Sequence, residues 1–133
     1  MQHTLFHDIV SGKIPSYKVY ENDDFLAFLD IYPRTKGHTL VIPKTGYEWV
    51  YDVPQFGAYW ETVLKVTRGI QHALSPSFVT YATHGLEIRY AHIHILPRYG
   101  ELDAAKHKVF PSDVVQMEKH QFEDLAEQIR SAL

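Results

Sequence analysis

The chain has 133 residues, of which 45% are hydrophobic and 22% charged, with a formal net charge of −3 and no cysteine. This length suits one domain with one hydrophobic core, and the composition is that of a globular chain. Disulfides, thiolate metal centres and a cysteine nucleophile are excluded, no apolar run could span a bilayer, and the mild negative charge disfavours a nucleic-acid binder.

The start, "MQHTLFHDIV", lacks the basic onset and long apolar stretch of a secretory signal, so a cytoplasmic location is expected. "TLFHDIVSGKIPS" predicts a short helix: Leu5, Phe6 and Ile9 share a face, and Gly12 and Pro15 stop it. "YKVYEND" and "FLAFLDIY" read as strands around an "ENDD" turn, and "HTLVIPK" as a third strand, together an antiparallel meander. A long helix fits residues 54–74, with Phe56, Trp60, Val63, Leu64 and Ile70 at helical spacing until "SPS" breaks it. "FVTYAT" is a fourth strand, "HGLE" a turn and "IRYAHIHILPR" a fifth strand. "YGELDAAKHKVFPSD" reads as a long excursion. "DVVQMEKHQFEDLAEQIRSAL" predicts an amphipathic helix that buries Val115, Phe122, Leu125, Ala126, Ile129 and Leu133. The order α, three strands, α, two strands, α is an α+β domain.

The fifth strand carries the chemistry. Side chains alternate along a strand, so Tyr90, His92 and His94 share one face and Ala91, Ile93 and Ile95 the other. Paired imidazoles can ligate a metal, but a stable site needs further ligands and no matching carboxylate or thiol is apparent. A neutral imidazole can instead attack phosphorus, if its protonated nitrogen is held by an acceptor and its lone pair faces the substrate. The third reading is two buried imidazoles satisfied by hydrogen bonds without chemistry, and for an isolated pair it is the one to choose. Of the nine histidines, His3, His7, His72, His107 and His120 lie outside any pattern and read as surface residues, His7 being the one in question.

The surrounding phrases add to this. "GLEIRYAHIHILPR", together with "I-x-x-G-x-I-P", "F-L-D-I-x-P" and "G-H-T-L-V-I-P-K", resembles the histidine triad (HIT) superfamily over residues 5 to 98. The resemblance implies one HIT-like domain over 1–133: a five-stranded antiparallel sheet with a short N-terminal helix, one long central helix and a C-terminal helix. It implies a nucleotide-binding hydrolase or nucleotidyl transferase with no cofactor. His92 would be the nucleophile on the α-phosphate, His94 a phosphate contact and His38 a supporting histidine. Asp30 would hold the ribose hydroxyls, and Leu5, Phe6, Ile9, Ile14, Phe28 and Ile31 the purine. A homodimer is implied, joined through the long helix and "FVTYAT", where Trp60, Phe78 and Tyr81 could serve.

Departures from the pattern fall on the leaving-group side, at Leu86, Glu87 and Tyr90. Tyr90 replaces the first triad histidine, and a phenol with a pKa near ~10 cannot relay protons at neutral pH as an imidazole does. Leu86 replaces a glutamine donor, and Glu87 brings a negative charge near phosphates. The loop before Gly85 is shorter than usual, leaving Thr83 or His84 as stand-ins for a phosphate-contacting asparagine. Glu87 beside Arg89 favours a cationic or hydroxyl-bearing leaving group, hence phosphoramidates or adenylate esters over dinucleoside polyphosphates. The alternative is a catalytically weak or inactive nucleotide-binding or interaction module that keeps the pocket. Some relatives bind a structural zinc, but the corresponding positions here are Thr4, His7, Gly46 and Tyr90, so no bound zinc is expected.

Overall fold

The computed structural model describes residues 1–133, with three α-helices and a five-stranded sheet. The strands are β1 (Lys18–Glu21), β2 (Phe25–Leu29), β3 (Thr39–Pro43), β4 (Phe78–Ala82) and β5 (Ile93–Arg98), ordered β1-β2-β3-β5-β4 with every neighbouring pair antiparallel. The helices are α1 (Leu5–Ser11), α2 (Phe56–Leu74) and α3 (Lys119–Ser131). None is long and apolar enough to cross a membrane.

Alternation along the strands divides the sheet into two buried faces. Phe25, Ala27, Leu29, Val41, Ile93 and Ile95 point to one side, where α2 and α3 supply Val63, Val66, Ile70, Phe122 and Ile129. Leu26, Phe28, Leu40, Ile42 and Tyr90 point to the other side, which α1 covers with Phe6 and Ile9. Thr4 caps α1 through its hydroxyl, with His7 completing a capping box, and Gly12 ends the helix in the left-handed conformation at φ +84°.

Three sequence expectations need correction. The fifth strand joins the ladder at Ile93, not Ile88, although Ala91 keeps to the Ile93 face and Tyr90 to the opposite one. Val41 pairs with Ile93, so Ile42 and Pro43 would next oppose His92 and Ala91; Pro43 has no N–H to donate across, its carbonyl accepts the Tyr90 hydroxyl, and the Ala91 N–H goes to the Tyr47 carbonyl instead.

The long helix begins at Phe56, and its buried stripe runs through Tyr59, Val63, Val66 and Ile70 with Thr62 and Thr67. Phe56 and Leu64 are exposed. The two threonines can be buried because their hydroxyls donate to the Ala58 and Val63 carbonyls.

The last helix starts at Lys119, not Asp113, capped by Glu118 with Gln121. Upstream, the Val115 N–H is drawn to the Pro33 carbonyl, and Val115 and Leu133 are both exposed. The long excursion therefore extends to Glu118. This strap, residues 99–118, contains only a single turn of 3-10 helix at Ala104–Lys106.

Candidate active site

The face under α1 collects the even-numbered residues at neighbouring strand ends. Asp30 follows β2, His38 precedes β3 and His94 lies in β5. Leu29 pairs with Thr39 and Leu40 with His94, which places His38 diagonally beside His94. The Asp30 N–H donates to the His38 carbonyl, extending the β2–β3 ladder by one step. Gly37 sets the approach. Its φ of +91° suits glycine, and a Cβ there would lie 2.6 Å from the Leu74 Cδ1.

Hydrogen bonds fix the tautomers of the three imidazoles. The Arg34 N–H donates to His38 Nδ1 at 3.0 Å, so the His38 proton sits on Nε2. That N–H donates to His94 Nδ1 at 2.9 Å, which leaves the His94 proton on Nε2, free to donate outward. His92 has the opposite arrangement: its Nδ1–H donates to the Tyr90 carbonyl at 2.6 Å, so Nε2 presents a lone pair. The His92 and His94 ring centroids are 5.0 Å apart. An acceptor nitrogen and a donor nitrogen thus stand side by side, which suits attack on a phosphorus whose oxygens need a hydrogen bond.

Burial keeps these rings neutral. It lowers His38 from 6.5 to about 3 and His94 to about 4, with neighbouring imidazoles and Arg34 adding to the effect. His92 is also lowered by burial, partly opposed by its bond to the Tyr90 carbonyl. Burial raises Asp30 above 3.8, against the Tyr32 N–H that donates to its Oδ1 at 2.8 Å and the nearby Arg34.

Asp30, His38 and His94 bring donor atoms within 4.8 Å of one another. A metal on His38 Nε2 would force the proton to Nδ1, against the Arg34 N–H, so the hydrogen-bonded arrangement suits proton placement and not ligation. Thr4, His7, Gly46 and Tyr90 also converge. The His7 and Tyr90 rings meet edge to face at 4.8 Å, and a Cβ on Gly46 would lie 2.9 Å from His7 Nε2. Only His7 there carries an imidazole, and its Nδ1 accepts the Thr4 N–H, so this set does not fit zinc.

The apolar residues expected around a base divide in two. Phe6, Ile9 and Phe28 are buried in one cluster with Ile14 packed against it, whereas Leu5 and Ile31 are 44% and 55% exposed. The Phe6 ring meets His92 edge to face at 5.1 Å.

The leaving-group side is also divided. Tyr90 is fully buried and its hydroxyl donates to the Pro43 carbonyl at 2.6 Å, so it faces the core and not a leaving group. Leu86 and Glu87 are exposed. Arg89 is held by Glu48 at 3.0 Å and lies over Trp49, so it does not pair with Glu87. The Thr83 hydroxyl donates to the His92 carbonyl at 2.8 Å, which places Thr83 beside the His92 backbone.

Three contributors, Phe110, Arg34 and Arg98, are not apparent from the sequence. Phe110, from the strap, meets His94 at 5.1 Å and His38 at 6.0 Å, edge to face, and the Arg34 guanidinium lies 5.4 Å from its ring centre. The strap is held there by Arg34, donating to the Pro111 carbonyl, and by Arg98, donating to the carbonyls of Lys108 and Val109. The "PR" at the end of "IHILPR" was the available signal for Arg98; nothing in the sequence marks Phe110. Open clefts of about 430 and 480 Å³ flank the strap, and Asp30, His38, His92 and His94 line neither.

The chain is similar to known proteins across most of its length. It is 42% identical over 109 residues to the protein called hit from Bacillus subtilis, covering 77% of this chain and 75% of that one. Among solved structures, a hypothetical histidine triad nucleotide-binding protein from Sulfolobus tokodaii superimposes with a TM-score of 0.83 at 30% identity, covering 97% and 91% of the two chains. A HIT family hydrolase from Legionella pneumophila gives 0.59 at 27% identity over 71% of this chain and 91% of that one. The HIT domain family matches residues 11–101, and with the sheet order and the histidine pair described above this chain belongs to the HIT domain family.

Proposed function

We propose that the protein is a nucleotide hydrolase or nucleotidyl transferase that works through a covalent nucleotide on His92. The observation that carries this reading is the pair of opposed tautomers, with Nε2 bare on His92 and protonated on His94. In the first step the His92 Nε2 lone pair forms a bond to the α-phosphorus, the bond from phosphorus to the leaving nitrogen or oxygen breaks, and the leaving group takes a proton from solvent water. The His94 N–H stabilises the phosphoryl oxygens as charge grows on them. Water then attacks the phosphorus, gives up a proton to solvent, releases the nucleoside monophosphate and returns the electron pair to His92; in a transferase, an acceptor hydroxyl or amine takes the place of water.

Asp30 would accept hydrogen bonds from the ribose hydroxyls. Phe6, Ile9, Ile14 and Phe28, with the exposed Leu5 and Ile31, would form the wall for a purine. Similarity to the Sulfolobus nucleotide-binding protein and the Legionella hydrolase supports this reading. Glu87, exposed and without a partner, supports a leaving group that carries a positive charge or hydroxyls, hence a nucleoside phosphoramidate or an adenylate ester. Incubation with a labelled nucleoside phosphoramidate tests it. Wild type should release nucleotide and His92→Ala should not; equal release would reject catalysis.

A second reading, a nucleotide-binding module with little or no turnover, is favoured by Leu86, which has no donor, and by Tyr90, whose hydroxyl is committed to the core. It expects monophosphate binding, lost in Asp30→Ala, without turnover. A symmetric dimer belongs to both readings. The outer strand β4 and the adjoining α2 would form it, with Trp60 against Tyr81 at 5.7 Å on that side. Light scattering after gel filtration reads the mass.

A further inference from the structure

Between the strap and the loop that follows β2 lies the open cleft of about 430 Å³. Arg34 and Lys36 line it from the loop, and Lys106, His107 and Lys108 from the strap, with Arg98 between them. Five of the thirteen Lys and Arg residues thus meet in one cavity of a chain whose net charge is −3, and Asp113 is the one acidic residue in its lining.

Ion pairing leaves most of this charge uncompensated. Lys106 pairs with the exposed Glu101 at 3.0 Å. Arg34, Lys36, Arg98 and Lys108 have no carboxylate within 4.0 Å, so four of the five cationic groups here are unpaired, against four of the eight elsewhere in the chain. The guanidinium groups instead donate to main-chain carbonyls, which orient them without neutralising them. Thr35 lines the same cavity, and its hydroxyl has no hydrogen-bond partner. Like charges drawn together around a concave surface repel one another, and a multivalent anion relieves that repulsion.

We propose that this cleft binds an oligophosphate, a chain of two or three phosphate groups held between Arg34 and Lys36 on one wall and Lys106 and Lys108 on the other. The size of the cavity suits a short chain. A nucleic acid is disfavoured by the overall negative charge and by a lining whose hydrophobic members are only Tyr99 and Val115. The two walls lie some seventy residues apart in sequence, roughly 36 to 106, so a ligand that bridges them clamps the strap to the sheet. It would hold Phe110 against His94, which connects occupancy of the cleft to access at the histidines. The binding step itself does not depend on the chemistry proposed for His92.

Calorimetric titration with inorganic triphosphate tests the proposal on wild type, on a Lys36→Gln, Lys108→Gln double variant and on His94→Ala. Both lysines are exposed, so the double variant should fold. Wild type is expected to bind saturably, the double variant at least about tenfold more weakly, and His94→Ala, which loses only the Phe110 contact to the strap, within about threefold of wild type. Amide exchange in residues 99–118 should slow when triphosphate is added. A nucleoside triphosphate arm separates the sources of the phosphate chain. Affinity equal to that of triphosphate assigns a free oligophosphate, and tighter binding that Asp30→Ala cancels assigns a chain carried by a nucleotide. No saturable binding, equal affinity in the double variant, or binding lost in His94→Ala would each overturn the proposal.

Discussion

His38 Nε2 donates its proton to His94 Nδ1 at 2.9 Å, and so decides which nitrogen of His94 faces outward as a donor. His38 is almost completely buried, with its own tautomer set by the Arg34 main chain. It acts through His94 and is a positioning residue. His38→Ala should therefore lower kcat/KM about tenfold, the worth of one hydrogen bond of about 1.4 kcal/mol in the transition state. The pH profile should change with it, because removing the ring packed 5.1 Å from His94 uncovers that imidazole, and burial is the main cause of its low pKa. A drop in stability with an unchanged pH profile would make His38 purely structural.

The acidic limb of kcat/KM should lie below the ordinary histidine value of 6.5. His92 must be unprotonated to attack, and burial lowers its pKa, so activity persists as pH falls through 6.5 and fails only below it. Stability follows the same sign. Folded-state values of about 3 for His38 and about 4 for His94 lie below the unfolded value, so the unfolded chain binds more protons in this window. Their contribution is complete above about pH 6.5 and is lost progressively as pH falls toward 4 and 3. Asp30, raised above 3.8, acts in the opposite direction: its buried carboxylate costs stability as pH rises through the raised value. Urea denaturation across pH 3 to 8 reads the sum.

Tyr90→Phe should separate structure from catalysis at this buried position. The change removes the hydroxyl that donates to the Pro43 carbonyl and leaves that buried acceptor without it, a cost of about 1–3 kcal/mol. The Tyr90 carbonyl, which holds His92, is main chain and survives the substitution. The expected result is a lower Tm with kcat within about threefold of wild type, since no transition-state contact is removed. A hundredfold loss of kcat would place the phenol in the reaction.

Phe110→Ala should expose His94. Burial is the main cause of the low His94 pKa, and Phe110 is the part of the strap that lies on its ring. Titration of the imidazole resonances should show the His94 midpoint rising from about 4 toward 6.5. An unchanged midpoint would mean that the sheet and His38 alone account for the burial.

Much of this was legible in the sequence because it depends on alternation. Residues 26, 28 and 30 and residues 90, 92 and 94 keep their parity even where the ladder is interrupted, so Tyr90 and the two imidazoles share the face that bears Phe28. The short first helix was legible through Phe6, Ile9 and its stop at Gly12, although Leu5, expected on the same face, is exposed. The stripe of α2 was misplaced because Thr62 and Thr67 count as polar, yet satisfy their hydroxyls on their own helix.

The strap was illegible for a different reason. It is held by main-chain carbonyls of Lys108, Val109 and Pro111, and carbonyls have no signature in side-chain pattern. Tyr90 was misread for the complementary reason: its replacement of a histidine suggested altered chemistry, whereas its ring and hydroxyl are packed into the core.

The tautomer of His92 can be observed directly by long-range proton–nitrogen correlation of the imidazole ring at neutral pH. The account predicts a protonated Nδ1 bonded to the Tyr90 carbonyl and a bare Nε2. A proton on Nε2, or a doubly protonated ring at pH 7, would contradict it, since neither form leaves a lone pair to attack phosphorus.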